Sequence, residues 1–506
     1  MMMRYARLTW MLAIGLALSG WQTPLRAADD GSTADLVLRG AIESSDLQTY
    51  QLIPFDVPVG TRQLAVSFDY TGRAARTTID LGLMGPGQTF GEAFRGWSGG
   101  NKRSFRLSAH DATPSYYQGP IVPGRWHLLL GIPNIHSGER SEFTASIYFN
   151  RHDAPGGALS QPPLNSAAGW YRGDLHLHSG HSDGTCDSRS GATRVPCPLF
   201  LTLEAAAARG LDFIAVTEHN TSSHVRELTA LQPYFDRLLL IPGMEVTTFQ
   251  GHANAFGVRE PIDFRVGSGS VPDWNALLTF LNRSRTFVSI NHPRTIGGEV
   301  CMGCAWAPDP PVDFTKIQAV EVVNGHDAET AKAGIPFWHE QLNRGFRLTG
   351  IGGSDTHDAT AHQRASTAGE VGTPTTVVYA NDLTEAAIID GMRAGRVFVD
   401  VTGVAGRLLE FGFKTATGEE PAGSEVVTTG RDAQFVLRIK GVEGGSVEVI
   451  QDGTILAGVL PPAALTPDFA ARFTLKLAGR HWVRVNVRDR EGRLALVGNP
   501  IYVNWR

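Results

Sequence analysis

Histidine is concentrated in one stretch of this chain: eleven of its 16 histidines lie between positions 176 and 362. In Asp174-Leu175-His176-Leu177-His178 the two imidazoles stand two residues apart, which in an extended strand puts both on one face. Four more apolar runs close in the same way. Phe213–Val216 leads into Thr217-Glu218-His219-Asn220, and Leu239–Ile241 passes through Pro242-Gly243 to Glu245. Phe287–Ile290 runs into Asn291-His292-Pro293, and Leu348–Gly353 into Ser354-Asp355-Thr356-His357. One such residue after one strand is ordinary, because it can cap the helix that follows. Five in register point to a metal centre. Neutral imidazoles mixed with carboxylates suit Zn²⁺, Mn²⁺ or Fe²⁺, and a carboxylate such as Glu245 can bridge two ions about 3.5–4 Å apart. A hydroxide held between such ions attacks an electrophilic phosphorus or carbon, so hydrolysis is the chemistry expected. The rival, a serine nucleophile, lacks its G-x-S-x-G elbow in Gly180–Gly184 and in Gly352-Gly353-Ser354-Asp355.

The elements needed to position these residues can be read around them. The Ala-rich Leu199–Arg209, ended by Gly210, reads as a helix before Phe213–Val216. Helical stretches at Ser223–Gln232, Asp273–Asn282 and Glu329–Asn343 precede the next three runs. Helix followed by buried strand, repeated, predicts a mainly parallel α/β sheet or barrel over residues 168–401. Active sites of α/β barrels form at the C-terminal ends of the strands, where these residues fall. Residues 30–155 instead show short β-type runs, among them Gln63–Asp69, Trp126–Leu130 and Glu142–Phe149, and predict a small β-sandwich. Ala154–Leu164 reads as a linker. From 402 to 506 the pattern is again β, with strict alternation in Val483–Arg488 and a hairpin signal at Asp452-Gly453, so a second sandwich is expected.

Taken together, His176-Leu177-His178, Ser182-Asp183-Gly184, Thr217-Glu218-His219, Asn291-His292-Pro293 and Ser354-Asp355-Thr356-His357 resemble the polymerase-and-histidinol-phosphatase (PHP) superfamily. The resemblance covers roughly half the chain. It implies a distorted (β/α)7 barrel, flanked here by N-terminal and C-terminal β-sandwich domains, and two or three divalent metal ions. It implies ligand roles for His176, His178, Asp183, His219, Glu245, His292, Asp355 and His357, with His252 a ninth. Glu218 stands where many members have Asp and is given a supporting role. The layout with a β domain on each side resembles the carbaryl-hydrolase-like subgroup. Three further residues are candidates for catalysis. His181, beside the ligands, could donate a proton to the leaving group. Arg294, just after His292, could clamp an anionic substrate, and Asn324 could position it. Each has an ordinary alternative as a surface or capping residue, and His326, His339 and His362 read as structural or exposed.

The first 27 residues read as a secretory signal peptide: Arg4 and Arg7, an apolar run from Trp10 to Leu18, then small residues at Ala27 and Ala28. A periplasmic or secreted protein is expected, with no membrane partner after cleavage because the run is too short to span a bilayer. The segment carries three basic residues and no acid, so its removal takes the formal net charge from -5 to -8. That balance argues against nucleic acid as a partner. In an oxidising compartment the four cysteines are expected as local disulfides, Cys186–Cys197 and Cys301–Cys304.

The leading expectation is therefore a metal-dependent hydrolase of small-molecule phosphoesters. The nearest rival is a carbamate or carboxylic ester hydrolase, which the scarcity of basic side chains near the ligands favours. A third class, a carbohydrate- or surface-binding protein with an inactive barrel, would use N-terminal aromatics such as Trp97, Tyr116 and Tyr117.

Overall fold

The computed structural model describes residues 33–100, 102–150, 162–298, 301, 303–360, 369–428, 432–460 and 464–505. The expected signal peptide, most of the linker and His362 lie outside them. Among the described residues no helix is long and apolar enough to cross a membrane. The molecule is multidomain and rich in strands.

The N-terminal region forms two four-stranded antiparallel sheets. One has the order Leu36–Glu43, Arg140–Asn150, Gln63–Tyr70, Ser104–Ser108, and the other Tyr50–Val57, Gly124–Asn134, Thr78–Met84, Phe94–Ser98. Their inward residues, among them Val66, Phe68, Leu81, Leu83, Phe105, Trp126 and Leu128, make one core. Tyr116 is fully buried there, with its hydroxyl donating to the Leu81 carbonyl at 2.9 Å, whereas Tyr117 is exposed.

Seven strands of the central region lie in the order Thr349–Gly353, Ala319–Asn324, Phe287–Ile290, Gly251–Phe256, Leu239–Thr248, Phe213–His219, Gly169–Asp174. Neighbours pair in parallel except Gly251–Phe256, which is antiparallel to both of its partners. That departs from a uniform helix–strand alternation, and the cause is local. Only Phe249 and Gln250 join this strand to Leu239–Thr248, and so short a link makes a hairpin, whereas a parallel crossover needs a dozen residues or more. The two ends of the row meet: Asp355 N–H donates to the His176 carbonyl at 2.9 Å, and His178 N–H to that of Thr356 at 3.1 Å.

Two boundaries differ from the sequence reading. The strand before the paired histidines stops at Asp174, and His176–His178 continue it only through a bridge between Leu177 and Thr356. The helix expected over Glu329–Asn343 begins at Ile335, because Pro336 suits its first turn and not its interior. Among the described residues the other α-helices are Leu199–Ala208, Val225–Leu231, Trp274–Arg283 and Glu385–Arg393, beside the four-residue Phe90–Ala93 in the N-terminal region. Trp274–Arg283 shows how they pack. Asp273 caps it by accepting from Ala276 N–H at 2.8 Å, and Trp274, Leu277, Leu278 and Leu281 form the face buried against the sheet.

Beyond the central strands, Gly169–Asp174 also pairs with Thr375–Ala380, which pairs with Val397–Asp400. Val397–Asp400 then pairs with Leu494–Gly498. One sheet thus runs from the central region into the C-terminal one. A separate four-stranded sheet (Glu419–Pro421, Leu408–Lys414, Asp432–Lys440, Asp468–Lys476) covers its far end, with Phe411, Phe435 and Phe473 stacked in the core between them.

Candidate metal centre

The ligand-type residues converge where the two ends of the central row meet. Asp174, fully buried, ties that junction together. Its carboxylate accepts from His176 N–H at 3.2 Å, Ser354 N–H at 3.0 Å and Gly372 N–H at 2.7 Å, so one side chain fixes the segments that carry His176 and Asp355. Gly353 allows the close approach, since a β-carbon there would meet His176 and Glu321. His292 and Asp355 are held at φ values of 26° and 51°, a conformation non-glycine residues adopt at a cost and one that clusters at functional sites.

Glu245 sits at the centre. Its Oε2 is 3.3 Å from His176 Nε2, 3.4 Å from His178 Nε2 and 2.8 Å from His219 Nδ1. Its Oε1 is 3.3 Å from both His252 Nδ1 and His292 Nε2, and accepts from Asn291 Nδ2 at 2.9 Å. Asp355 Oδ1 faces the first pair, 3.3 Å from His176 Nε2 and 3.2 Å from His178 Nε2. On the other side of His178, Asp183 Oδ1 lies 3.3 Å from His357 Nε2 and 3.6 Å from His219 Nε2. The residues fall into four groups that could hold an ion: His176, Glu245 and His292; His176, His178 and Asp355; His178, Asp183, His219 and His357; and His252 and His292 with Cys304. All nine ligand residues read from the sequence meet here.

These separations discriminate between an ion-pair cluster and a metal centre. Charge-assisted N–H···O bonds close to about 2.7–2.9 Å. Two ligand atoms each about 2.0–2.2 Å from one ion, at a tetrahedral angle, stand ~3.3–3.6 Å apart. Most of the contacts have the second spacing. The buried His176 Nε2 and His178 Nε2 moreover have no hydrogen-bond partner although each faces the Glu245 and Asp355 carboxylates, an arrangement too costly to keep unless something else satisfies them. The donor set fits divalent ions.

Charge in the cluster is ordered by burial and pairing. Burial, reinforced by the His357 and His219 rings, pushes His178 down to about 4, so it is a neutral donor. Burial also opposes a charge on His357, but the Asp183 hydrogen bond and the Asp355 carboxylate outweigh it and lift the ring to about 9. Burial alone would raise Glu245, yet His176, His219 and His252 hold it well below the usual carboxylate range. The cluster is buried at His176, His178 and Glu245 and opens towards Asp183, whose side chain is 60% exposed, and His357, at 38%.

Residues outside the ligand set hold it in place. Glu321 accepts from His292 N–H at 2.9 Å and lies 3.0 Å from His176 Nδ1, which commits the other ring nitrogen, Nε2, to the cluster. Sequence reading missed Glu321 and Asp174. The available signal was an acid within the apolar run Ala319–Val323. Glu218 accepts from Ser179 N–H at 3.0 Å and from the hydroxyls of Ser179 and Ser182, fixing the loop before Asp183. Asn324 Nδ2 donates to Glu321 at 3.0 Å and to Asp355 Oδ2 at 3.2 Å, so in this arrangement it supports a ligand carboxylate. His181 is turned to Ser223 Oγ at 2.9 Å and Glu227 at 3.0 Å. Arg294 is half exposed and pairs with Glu340 at 3.4 Å. Cys186 is bonded to Cys197 and Cys301 to Cys304.

No family model matches the chain, and no curated protein matches it. Among solved structures, a two-domain protein from Bacteroides vulgatus containing a predicted PHP-like metal-dependent phosphoesterase aligns at 19% identity and a TM-score of 0.37, covering 67% of this chain and 98% of that one. The Yersinia pseudotuberculosis-derived mitogen aligns at 14% identity and a TM-score of 0.14 over 24% of this chain and 90% of its own. Neither similarity defines the fold of this chain.

Proposed function

We propose that this chain is an exported metal-dependent hydrolase of the PHP type, holding two or three Zn²⁺, Mn²⁺ or Fe²⁺ ions and cleaving small-molecule phosphoesters. The observation that carries it is the pair of buried imidazole nitrogens, His176 Nε2 and His178 Nε2, that lack a hydrogen-bond partner while facing the Glu245 and Asp355 carboxylates at 3.2–3.4 Å. The seven central strands, joined end to end through His176–His178 and Asp355–Thr356, support reading residues 168–401 as the distorted barrel, with β-sandwiches at 30–155 and 402–506. Divalent ions at such a site supply Lewis acidity and acidify a water to near neutrality.

The chain's own residues do the rest. Glu245, facing histidines with each oxygen, would help hold the ions. Glu321 and Asn324 hold His176 and Asp355 to their geometry. Substrate enters over the open side at Asp183 and His357. In the ion-free protein the His357 ring, lifted to about 9, holds a proton at neutral pH that a bound ion would displace.

One observation favours the rival ester class. Among the described residues no lysine or arginine pairs with a cluster carboxylate, and Arg294 is engaged with Glu340. Ions alone would have to neutralise a phosphate, whereas a carbamate or carboxylic ester makes no such demand. Assay of the metal-loaded protein on aryl phosphomonoesters, phosphodiesters, carbamates and carboxylic esters decides between them. Phosphoesters are expected to be the better substrates. A preference for neutral esters of ~100-fold in kcat/KM, about 2.7 kcal/mol at the transition state, would reassign the substrate and leave the metal centre standing.

A further inference from the structure

Cys304 is buried against the metal centre, and its loop is seated there by contacts that only glycine permits. Gly303, at φ +76°, rests on the Thr248 carbonyl and the Phe249 backbone, where a β-carbon would collide. Gly251, at φ +140°, lets the Trp306 ring come up to the backbone just before His252. Ala307 N–H donates to the Gln250 carbonyl at 2.9 Å, and Trp306 N–H to that of Pro293 at 3.3 Å. The loop is thus stitched to both segments that carry His252 and His292. The Cys304 sulfur comes within 4.8 Å of a ring nitrogen of each, with the three residues only 2%, 4% and 6% exposed. The same sulfur is bonded to Cys301, which is half-buried and more open to solvent.

We propose that Cys304 is a latent metal ligand, withheld while bonded to Cys301 and delivered to the ion beside His252, His292 and Glu245 when that bond is reduced. The proposal rests on the metal-centre reading above. The asymmetry in exposure sets the order of events. A thiolate of a dithiol reductant attacks the accessible Cys301 sulfur, and the Cys304 sulfur leaves as a thiolate facing the imidazoles. The second thiol of the reductant then displaces Cys301, so the reductant ends as a disulfide and Cys301 as a thiol. The proton that would have gone to Cys304 passes to solvent, because the metal takes the thiolate. Two imidazoles and a thiolate would hold that ion, with Glu245 Oε1 3.3 Å from each imidazole, and the softer sulfur turns the site towards zinc and away from manganese. Redox state would then select the ion.

Cobalt(II) is the probe, because its visible d–d bands report an occupied centre and a near-ultraviolet sulfur-to-cobalt charge-transfer band reports thiolate ligation. The oxidised full-length protein should show the first without the second. Reduction with a phosphine should add the charge-transfer band. Cys301→Ser should show it without reductant, and Cys304→Ser should lack it under all conditions. The native protein with and without phosphine is sufficient if either variant fails to fold. Bound cobalt with no charge-transfer band in the reduced protein, or a band that survives in Cys304→Ser, would overturn the proposal while leaving the metal centre intact. Failure to bind cobalt in any form would overturn both.

Discussion

Glu321 never touches the proposed ions, yet it fixes which nitrogen of His176 faces them. Glu321→Gln keeps the shape and loses the carboxylate, so zinc affinity is expected to fall about 10–100-fold with an unchanged circular dichroism spectrum. A change below twofold in a competition titration would remove its orienting role. The protonation of His357 gives a second expectation. Its folded-state value of about 9 lies above that of a free imidazole, so the proton is retained through neutrality and leaves as the pH passes 9. A metal ion must displace it, and apparent affinity should therefore climb by up to about tenfold per pH unit towards pH 9 and level off beyond. An affinity flat between pH 7 and 9 would show that His357 binds no ion. Seven of the nine candidate ligands stood out in the sequence because they lie in or just after apolar runs, a local pattern, whereas Asp183 and His252 came only with the family resemblance. Glu321 and Asp174 did not stand out, because their roles depend on partners such as His176, 145 residues from Glu321, and Gly372, 198 residues from Asp174.

At the scale of elements, positioning depends on how closely backbones approach. Gly353→Ala puts a methyl into His176 and the Glu321 carboxylate, and the shift it forces should cost about 1–3 kcal/mol together with metal binding. Thermal denaturation with and without zinc measures both. If stability drops and zinc still protects fully, the close approach matters for packing alone. The apolar strands and most helices could be read from periodicity: Gln63–Tyr70 and Leu199–Ala208 fall within a residue of their expected limits. The reversed strand Gly251–Phe256 was overlooked, although a two-residue link before it was visible. Its neighbours' apolar runs imposed a helix–strand rhythm that this hairpin breaks.

For the whole molecule, the separate core of the N-terminal sheets has thermal consequences. Among the described residues the N-terminal sheets share no strand ladder with the rest, so calorimetry of the mature protein should resolve a separate transition for them. Chelation should leave that transition in place and lower the other, since an ion at 100 times its dissociation constant contributes about 2.7 kcal/mol to the part that binds it. A single chelator-sensitive transition would mean that the sandwich unfolds with the centre. The third region read in sequence as a unit of its own, because its alternation is local while the pairing of Phe398 with Gly498 spans 100 residues. That ladder has a consequence for inheritance. A sheet passing unbroken through Val397–Asp400 into Leu494–Gly498 leaves no seam at which recombination could exchange the C-terminal region for an unrelated module. Cutting there would expose a raw strand edge, the template on which chains aggregate. Grafting a foreign domain after residue 401 should give insoluble protein, whereas an exchange ahead of residue 162 should be tolerated. The two regions can be expected to have travelled together as one heritable piece.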